Sequence, residues 1–246
     1  MIPDFLYIGH RGSRVNVDEN TISAFKRALE FGANCIEFDV RKTADGELVI
    51  LHDSTLDRTT NGSGLLNEFT LAEIKEFKTK TQNTTIPSLT DVFDEFKGKL
   101  KFMIELKESN LQKELSEILR EYELFKDCII SGRILIDILE FKNLFPQCRI
   151  CYNITKGQGI SLDKFMNSSN DEKISLKLDL INLQSRLVSK EFLEVCHKNK
   201  IKVLSWDFLN NNPLQKIKAL INLGLDGILF DNHSNIPQVK SWQSHF

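Results

Sequence analysis

Residues Cys35 to Val40 read CIEFDV and alternate strictly: Ile36, Phe38 and Val40 fall on one face of a strand, Glu37 and Asp39 on the other. A carboxylate on a dry face is costly. That second face must therefore meet either bulk water or an enclosed polar site in which both carboxylates bind a cation. The stretch Lys101 to Lys107, KFMIELK, repeats the pattern, with Phe102, Ile104 and Leu106 opposing Met103, Glu105 and Lys107. Between the two, the short apolar run Leu48 to Leu51 delivers His52 and Asp53. Three carboxylates and a histidine at strand ends are what a phosphate-handling metal site needs.

The rest of the chain sets these strands in a rhythm. A buried strand over residues 4–9 ends in His10-Arg11-Gly12. Asn20 reads as a helix cap before the amphipathic run Ile22, Phe25, Ala28 and Leu29, which Gly32 stops. Ser88 opens a helix with Leu89, Val92, Phe93 and Phe96 on one face. Further strands are expected over 100–106, 127–131, 149–153, 178–183, 202–206 and 226–230, and helices over 110–124, 134–145, 189–199 and from Pro213 to Gly224. Gly157 to Lys173 is expected to hold at most a short helix. Residues 54–88 break the rhythm, being rich in Thr, Asn, Gly and Ser with one short helix near Thr70 to Phe77. They read as an insertion after the second strand, either a polar surface loop or a wall of the site.

About eight strand–helix alternations in 246 residues predict an α/β chain folded as a (β/α)8 TIM barrel, one domain over 1–246 including the insertion 54–88. A doubly wound sheet is the rival. It puts its ligand at one switch point, whereas here polar residues collect at the ends of many strands: His10, Glu37, Asp39, Glu105, Trp206 and Asp231. No glycine-rich nucleotide motif is present.

Composition removes other classes. A formal charge of −2 and a pI near 6.2 give no field to hold nucleic acid. No apolar run approaches membrane-spanning length, so no stable membrane insertion is expected. The first residues read as a strand rather than a signal peptide. Five dispersed cysteines, at 35, 128, 148, 151 and 196, fit a reducing compartment such as the cytoplasm better than a disulfide framework. Cys148-x-x-Cys151 has no turn, helix or companion histidine and reads as two strand cysteines. No stretch stands out as a subunit interface.

Several of these stretches together resemble the glycerophosphodiester phosphodiesterases: HRG at 10–12, ENT at 19–21, IEFDV at 36–40, DGELVILHD at 45–53, LDRTTNG at 56–62, IPSL at 86–89 and IELK at 104–107. The second half adds Trp206 and GLDGILFD at 224–231. Departures stand at Asp18, Gly132, Asp207, Phe230 and Asn232-His233, none of them a ligand or acid–base position. The resemblance implies a metal-dependent barrel that hydrolyses glycerophosphodiesters to glycerol 3-phosphate and an alcohol. It implies Glu37, Asp39 and Glu105 as metal ligands, and His10 and His52 as the acid–base pair with His10 the base. Arg11 and Lys107 would hold phosphate, and Trp206 would line the glycerol pocket.

The chemistry agrees. Three carboxylates are hard oxygen ligands suited to Mg²⁺ or Ca²⁺, and two imidazoles can move protons on both sides of phosphorus. Simpler explanations stand beside each assignment: a solvated strand face for Glu37 and Asp39, a carbonyl-bonded strand-end residue for His10, an ion pair for Lys107, packing for Trp206. Asp53 is either an orienter of His52 or a turn residue, and Asp231 a closing hydrogen-bond acceptor. His197, His233 and His245 read as surface or helix-end residues. Two other functions stay open: a related barrel that cleaves choline-type phospholipids or lysophospholipids, marked by a wide apolar groove, and a phosphate-ligand binding barrel without catalysis.

Overall fold

A computed structural model describes residues 5–208 and 213–245. Residue 4, where the first strand is expected to start, lies outside the described residues. The elements run β1 (Leu6–Gly9), α1 (Ile22–Glu30), β2 (Cys35–Lys42), β3 (Leu48–Ile50), α2 (Leu71–Glu76), α3 (Leu89–Phe96), β4 (Lys101–Leu106), α4 (Gln112–Glu121), β5 (Cys128–Gly132), α5 (Leu135–Leu144), β6 (Arg149–Asn153), α6 (Leu162–Asn167), α7 (Asn170–Ser175), β7 (Leu180–Gln184), α8 (Lys190–Lys198), β8 (Lys202–Trp206), α9 (Pro213–Asn222), β9 (Gly227–Phe230) and α10 (Asn235–Gln243).

Eight of these strands, all but β3, form a closed parallel barrel, with helices between successive strands. Closure comes from β1, which pairs with β2 at Ile8↔Cys35 and with β9 at Leu6↔Gly227. The short strand β3 is different: it runs antiparallel on the end of β2, with Val40 opposite Ile50.

The period-two pattern sorts side chains into two apolar layers. Leu6, Ile8, Cys35, Met103, Ile129, Cys151, Leu180, Leu204 and Leu229 form one buried cluster, the filling of the barrel. The alternate residues, among them Ile36, Phe38, Phe102, Ile130, Tyr152 and Ile228, join Phe25, Phe93, Phe141 and Phe192 from the helices in the larger layer outside it. Each such side chain contributes about 1.5–3 kcal/mol by leaving water. Two residues further along the inward face of each strand, the filling turns polar. That step places Glu37 and Asp39 after Cys35, Glu105 after Met103, Ser131 after Ile129, Asn153 after Cys151, Asn182 after Leu180, Trp206 after Leu204 and Asp231 after Leu229. The mouth at the C-terminal strand ends is therefore a polar ring resting on an apolar floor.

Two expectations are corrected and a third is narrowed. The stretch 157–173 carries two short helices, α6 and the start of α7, nucleated by Ser161 and Ser169 at their caps. The cap of α1 is Thr21, whose Oγ1 accepts from Ala24 N at 3.2 Å; Asn20 is released for another task. Of the two places expected for His233 it takes the helix end, one residue ahead of the Ser234 cap of α10, and not the surface: it is buried, its ring packed edge-on to Phe31 and its Nδ1 2.6 Å from Ser13 Oγ, because the end of α1 covers it. His197, in the last turn of α8 and paired with Asp226, and His245, exposed after α10, stand where expected.

The insertion is more than a polar loop. Val49, Leu51, Leu56, Leu66, Ile74 and Ile86 form their own small core, with Phe69 and Phe77, edge to face with each other, packed against it. Isolated bridges at Thr55↔Leu65, Thr60↔Thr79 and Lys78↔Thr85 tie it together. Its helix α2 starts with a capping box between Thr70 and Glu73. All five cysteines are buried free thiols. Among the described residues no helix is long and apolar enough to cross a membrane.

Candidate active site

The barrel register sets the acidic cluster. Asp39 lies opposite Glu105 across β2 and β4, and Glu105 opposite Ser131 across β4 and β5. Glu37, Asp39 and Glu105 each offer a buried carboxylate oxygen within 4.8 Å of the others. Glu37 is pushed up to about 8 by burial and by the neighbouring Asp39 charge. Burial acts on Asp39 in the same sense, but Lys107 and Arg11 outweigh it and hold that carboxyl low. A cluster in which one of three carboxyls is driven toward holding a proton is one that a cation would relieve. Three buried carboxylates with no sulfur or imidazole among them fit a hard divalent ion.

Cationic side chains crowd the same oxygens. Lys107 Nζ lies 3.3 Å from Asp39 Oδ1 and 3.1 Å from Glu105 Oε1. Arg11 Nε lies 3.3 Å from Asp39 Oδ2, while its backbone N–H donates to Glu37 Oε2 at 2.8 Å. That donation depends on a tight reversal after β1: Arg11 and Gly12 both take the left-handed conformation, at φ 52° and 76°. At Gly12 a Cβ would come within 2.6 Å of the Ala24 carbonyl carbon, so only glycine fits. Asn20 grips Asp39 from the other side, its Nδ2 donating to Oδ2 at 2.8 Å.

The two histidines come from different devices. His10 follows β1 directly and its N–H donates to Phe230 O, which sets it beside Asp231; His10 Nδ1 lies 2.7 Å from Asp231 Oδ1 and Nε2 4.0 Å from Glu37 Oε2. Burial lowers the affinity of His10 for a proton, but the Asp231 hydrogen bond and charge outweigh it, so its pKa is raised. His52 reaches the mouth because β3 folds back on β2, with Leu51 N donating to Asp39 O. Its Nδ1 lies 2.5 Å from Asp53 Oδ1, and its carbonyl accepts from Arg41. Its pKa is lowered, chiefly by burial and then by Arg11 and Lys107.

These groups share a cleft of about 270 Å³, with His10, Arg11, Glu37, Asp39, His52, Glu105 and Trp206 in its wall. Lys107 is not among its wall residues and sits behind the carboxylates it pairs with. The cleft adds Arg14, Arg133, Asn153, Lys156, Asn182 and Asp207, which reasoning from motifs passed over. Asn153 and Asn182 were findable: each is a polar residue at an inward position near the end of an otherwise apolar strand. Asn153 Oδ1, Asn182 Oδ1 and Trp206 Nε1 are buried without a protein hydrogen-bond partner.

A parallel barrel whose mouth joins a carboxylate cluster, two carboxylate-backed imidazoles and several cationic side chains has the charges to hold an anion beside a hard cation. The sequence model described as the Glycerophosphoryl diester phosphodiesterase family matches residues 10–234. A glycerophosphodiester phosphodiesterase of Caldanaerobacter subterraneus is 35% identical over 240 residues, spanning 92% of this chain and 94% of that one. One of Bacillus altitudinis is 30% identical over 235 residues, spanning 90% and 92%. Among solved structures, an Oleispira antarctica phosphodiesterase in complex with the product sn-glycerol-3-phosphate superposes with a TM-score of 0.83 at 24% identity, covering 96% of each chain. A Thermotoga maritima glycerophosphodiester phosphodiesterase gives 0.77 at 24%, covering 96% and 98%. The chain belongs to the glycerophosphoryl diester phosphodiesterase family, and is thus an enzyme of the phosphoric diester hydrolase class.

Proposed function

We propose that this chain hydrolyses glycerophosphodiesters to glycerol 3-phosphate and an alcohol, by acid–base catalysis from His10 and His52 beside a divalent cation. The observation that carries it is the meeting, in one cleft, of the three-carboxylate cluster with two imidazoles that are each backed by a carboxylate. The relatives named glycerophosphodiester phosphodiesterases support the substrate class, and the product held by the Oleispira protein supports the glycerol 3-phosphate side.

Glu37, Asp39 and Glu105 would hold Mg²⁺ or Ca²⁺. Such a cation, when bound, supplies positive charge to the phosphoryl oxygens and acidifies an attacking oxygen. Arg11 offsets the carboxylates and turns its remaining N–H groups to the phosphate, while Lys107 acts on the phosphate only as a positive charge from behind Asp39 and Glu105. Trp206, with its indole N–H unpartnered, suits a glycerol hydroxyl. One imidazole takes a proton from the attacking oxygen, of water or of the neighbouring glycerol hydroxyl, and the other gives a proton to the leaving alkoxide; where the hydroxyl attacks, the product is a cyclic phosphate, which water then opens to glycerol 3-phosphate with the two proton-transfer roles exchanged. Asp231 and Asp53 fix the ring orientation and leave each Nε2 for the reaction.

By family resemblance His10 is the base and His52 the acid. A second reading exchanges them, and the charges around the rings favour it: Asp231 keeps His10 prone to hold a proton, while burial keeps His52 prone to lose one. An activated nitrophenyl ester separates the two, since it needs little protonation. The alanine variant of the acid is rescued on that substrate and the variant of the base is not.

The cleft wall is polar and charged, with Trp206 and Leu229 as its apolar members, which favours a small diester over a lipid. We read the chain as one domain over 1–246 with residues 54–88 walling the substrate entrance, and its five free thiols as fitting the cytoplasm. Turnover of glycerophosphocholine, glycerophosphoethanolamine and glycerophosphoglycerol after chelation, with Mg²⁺ or Ca²⁺ added back, tests the proposal. Release of glycerol 3-phosphate that depends on the cation is expected; full turnover in the presence of a strong chelator, or none with either ion, would overturn it.

A further inference from the structure

Glu19 lies just ahead of α1, its side chain 11% exposed, and three guanidinium groups converge on it. Arg11 Nη1 donates to Oε1 at 2.8 Å, Arg58 Nη2 to Oε1 at 2.6 Å, and Arg14 Nε to Oε2 at 3.3 Å. One carboxylate thus bridges three guanidinium groups. Each guanidinium spends its other nitrogens on a different part of the site. Arg11 Nε reaches Asp39 of the acidic cluster at 3.3 Å. Arg14 Nη1 donates to Asp231 Oδ1 at 2.9 Å, the same oxygen that lies 2.7 Å from His10 Nδ1. Arg58 Nε donates to Asp53 Oδ2, and the other oxygen of Asp53 holds His52 Nδ1.

The contacts form one path of alternating charge: His10, Asp231, Arg14, Glu19, Arg58, Asp53, His52, with a side arm through Arg11 to Asp39. The planar guanidinium suits this use, because its rigid fork can bind two carboxylates at a fixed angle, which a lysine ammonium cannot. The turn carrying Arg58 is itself anchored: Leu56 sits in the small core of the insertion, and Thr60 N donates to Leu56 O.

We propose that Glu19 is a positioning residue that locks both imidazoles and the acidic cluster into one frame, and that Arg58 is the point at which the insertion enters that frame. The proposal rests on the reading of His10 and His52 as the proton-transfer pair, and it gives the insertion a part in catalysis rather than in access alone. Neither residue touches substrate atoms in this scheme; both act through the aspartates behind the histidines.

The test uses the full chain and two readouts. The first is proton NMR of the resting protein, following the downfield Nδ1–H signals of His10 and His52, assigned by the H10A and H52A variants. Glu19→Gln keeps the shape but sets an amide against three guanidiniums, and it should shift both signals together. Arg58→Ala, at a side chain 48% exposed and so tolerable to the fold, should shift the His52 signal strongly and the His10 signal detectably. A change confined to His52, or to neither, would reduce Arg58 to a local partner of Asp53 and overturn the shared frame. The second readout is kinetic: kcat on glycerophosphocholine should fall about 10–100-fold in either variant with KM little changed, the usual cost of losing an outer partner of a site group. Guanidinium ion should restore Arg58→Ala, whereas methylammonium or the R58K variant should not. Rescue by all three would leave only a charge requirement and overturn the positioning role. If the chain cleaves no glycerophosphodiester yet the two signals still move together, the proposed substrate fails and the frame stands.

Discussion

The two halves of the barrel mouth are built on opposite plans. The half contributed by β1, β2, β3 and β4 is saturated with charge, and its charged groups are already paired: Glu37 with the Arg11 N–H, Asp39 with Asn20 and with the Arg11 and Lys107 charges, Glu105 with Lys107, His52 with Asp53. The half contributed by β6, β7 and β8 has a neutral, unsatisfied inward ring, with Asn153 Oδ1, Asn182 Oδ1 and Trp206 Nε1 buried and unpartnered, and its charged wall residues, Lys156 and Asp207, lie beyond the strand ends. A polar atom left unpaired in a folded protein costs about 1–3 kcal/mol unless water or a ligand meets it. The charged half is thus set in place for the reaction before any substrate arrives, while the neutral half is arranged to recognise hydroxyls that only the substrate brings. Reaction and recognition should then separate cleanly under mutation.

The largest effect that would break this contrast is loss of the cluster. Glu105→Gln or strong chelation should lower kcat by roughly 10³-fold or more, since the cation is expected to supply several kcal/mol to the transition state. Calorimetry should show Mg²⁺ or Ca²⁺ binding abolished in the variant; unchanged binding and turnover would remove the charged half from the chemistry. Next come the imidazoles. His10→Ala or His52→Ala should cut kcat by about 10²–10⁴-fold, the worth of a positioned acid or base, with cation binding retained because neither is a proposed ligand. Asn153→Ala and Asn182→Ala should cost less, about tenfold in kcat/KM, mostly through KM. A loss in kcat as large as that of His10→Ala would erase the difference between the halves.

The smallest effect sharpens the contrast through pH. In the cation-free chain Glu37 titrates near 8 when folded, above its unfolded value, and His10 is raised as well. A group with a raised folded pKa lends stability that is full below its unfolded pKa and is lost as pH rises through the folded value. Stability from Glu37 should therefore fall between the ordinary carboxylate range and about pH 8. His52, being lowered, acts in the opposite sense, its contribution being lost as pH falls below the ordinary imidazole range. Added Mg²⁺ should thus raise Tm more at pH 8 than at pH 5, by roughly 2–4 °C for each kcal/mol gained. An equal rise at both values would mean that the cluster is not strained without the ion.

What could be read from residues alone follows the same divide. Glu37, Asp39 and Glu105 were visible because alternation places each opposite a run of apolar neighbours on its own strand, and β-strand periodicity is a local signal. His10 and His52 were visible as the residues ending short apolar runs. The shared role of Glu19, Arg14 and Arg58 was not, although two of them stand in the ENT and LDRTTNG stretches, because their partners lie 5 to 217 positions away and only the closed barrel brings them together. Asn20 was misjudged since a polar residue ahead of a helix is so often its cap, and Thr21 next to it takes that role. The core of the insertion was missed for a similar reason. Leu56, Leu66, Ile74 and Ile86 are spaced with neither strand nor helix period, so they carry no local signature of burial. The antiparallel turn-back of β3 hid in a run too short to tell from another parallel strand.

The placement of the five thiols gives the chain a built-in set of clocks. Cys35 and Cys151 belong to the filling of the barrel, whereas Cys128, Cys148 and Cys196 lie in the layer between strands and helices. Burial pushes Cys148 up to about 11 and Cys35 and Cys196 up to about 12, with Cys128 and Cys151 raised too. None is a competent nucleophile while the surroundings stay closed. The rate at which each sulfur is alkylated therefore measures how often its own layer opens. Peptide mapping of the label would reveal whether the helical shell loosens before the strands part, or whether both give way in a single event.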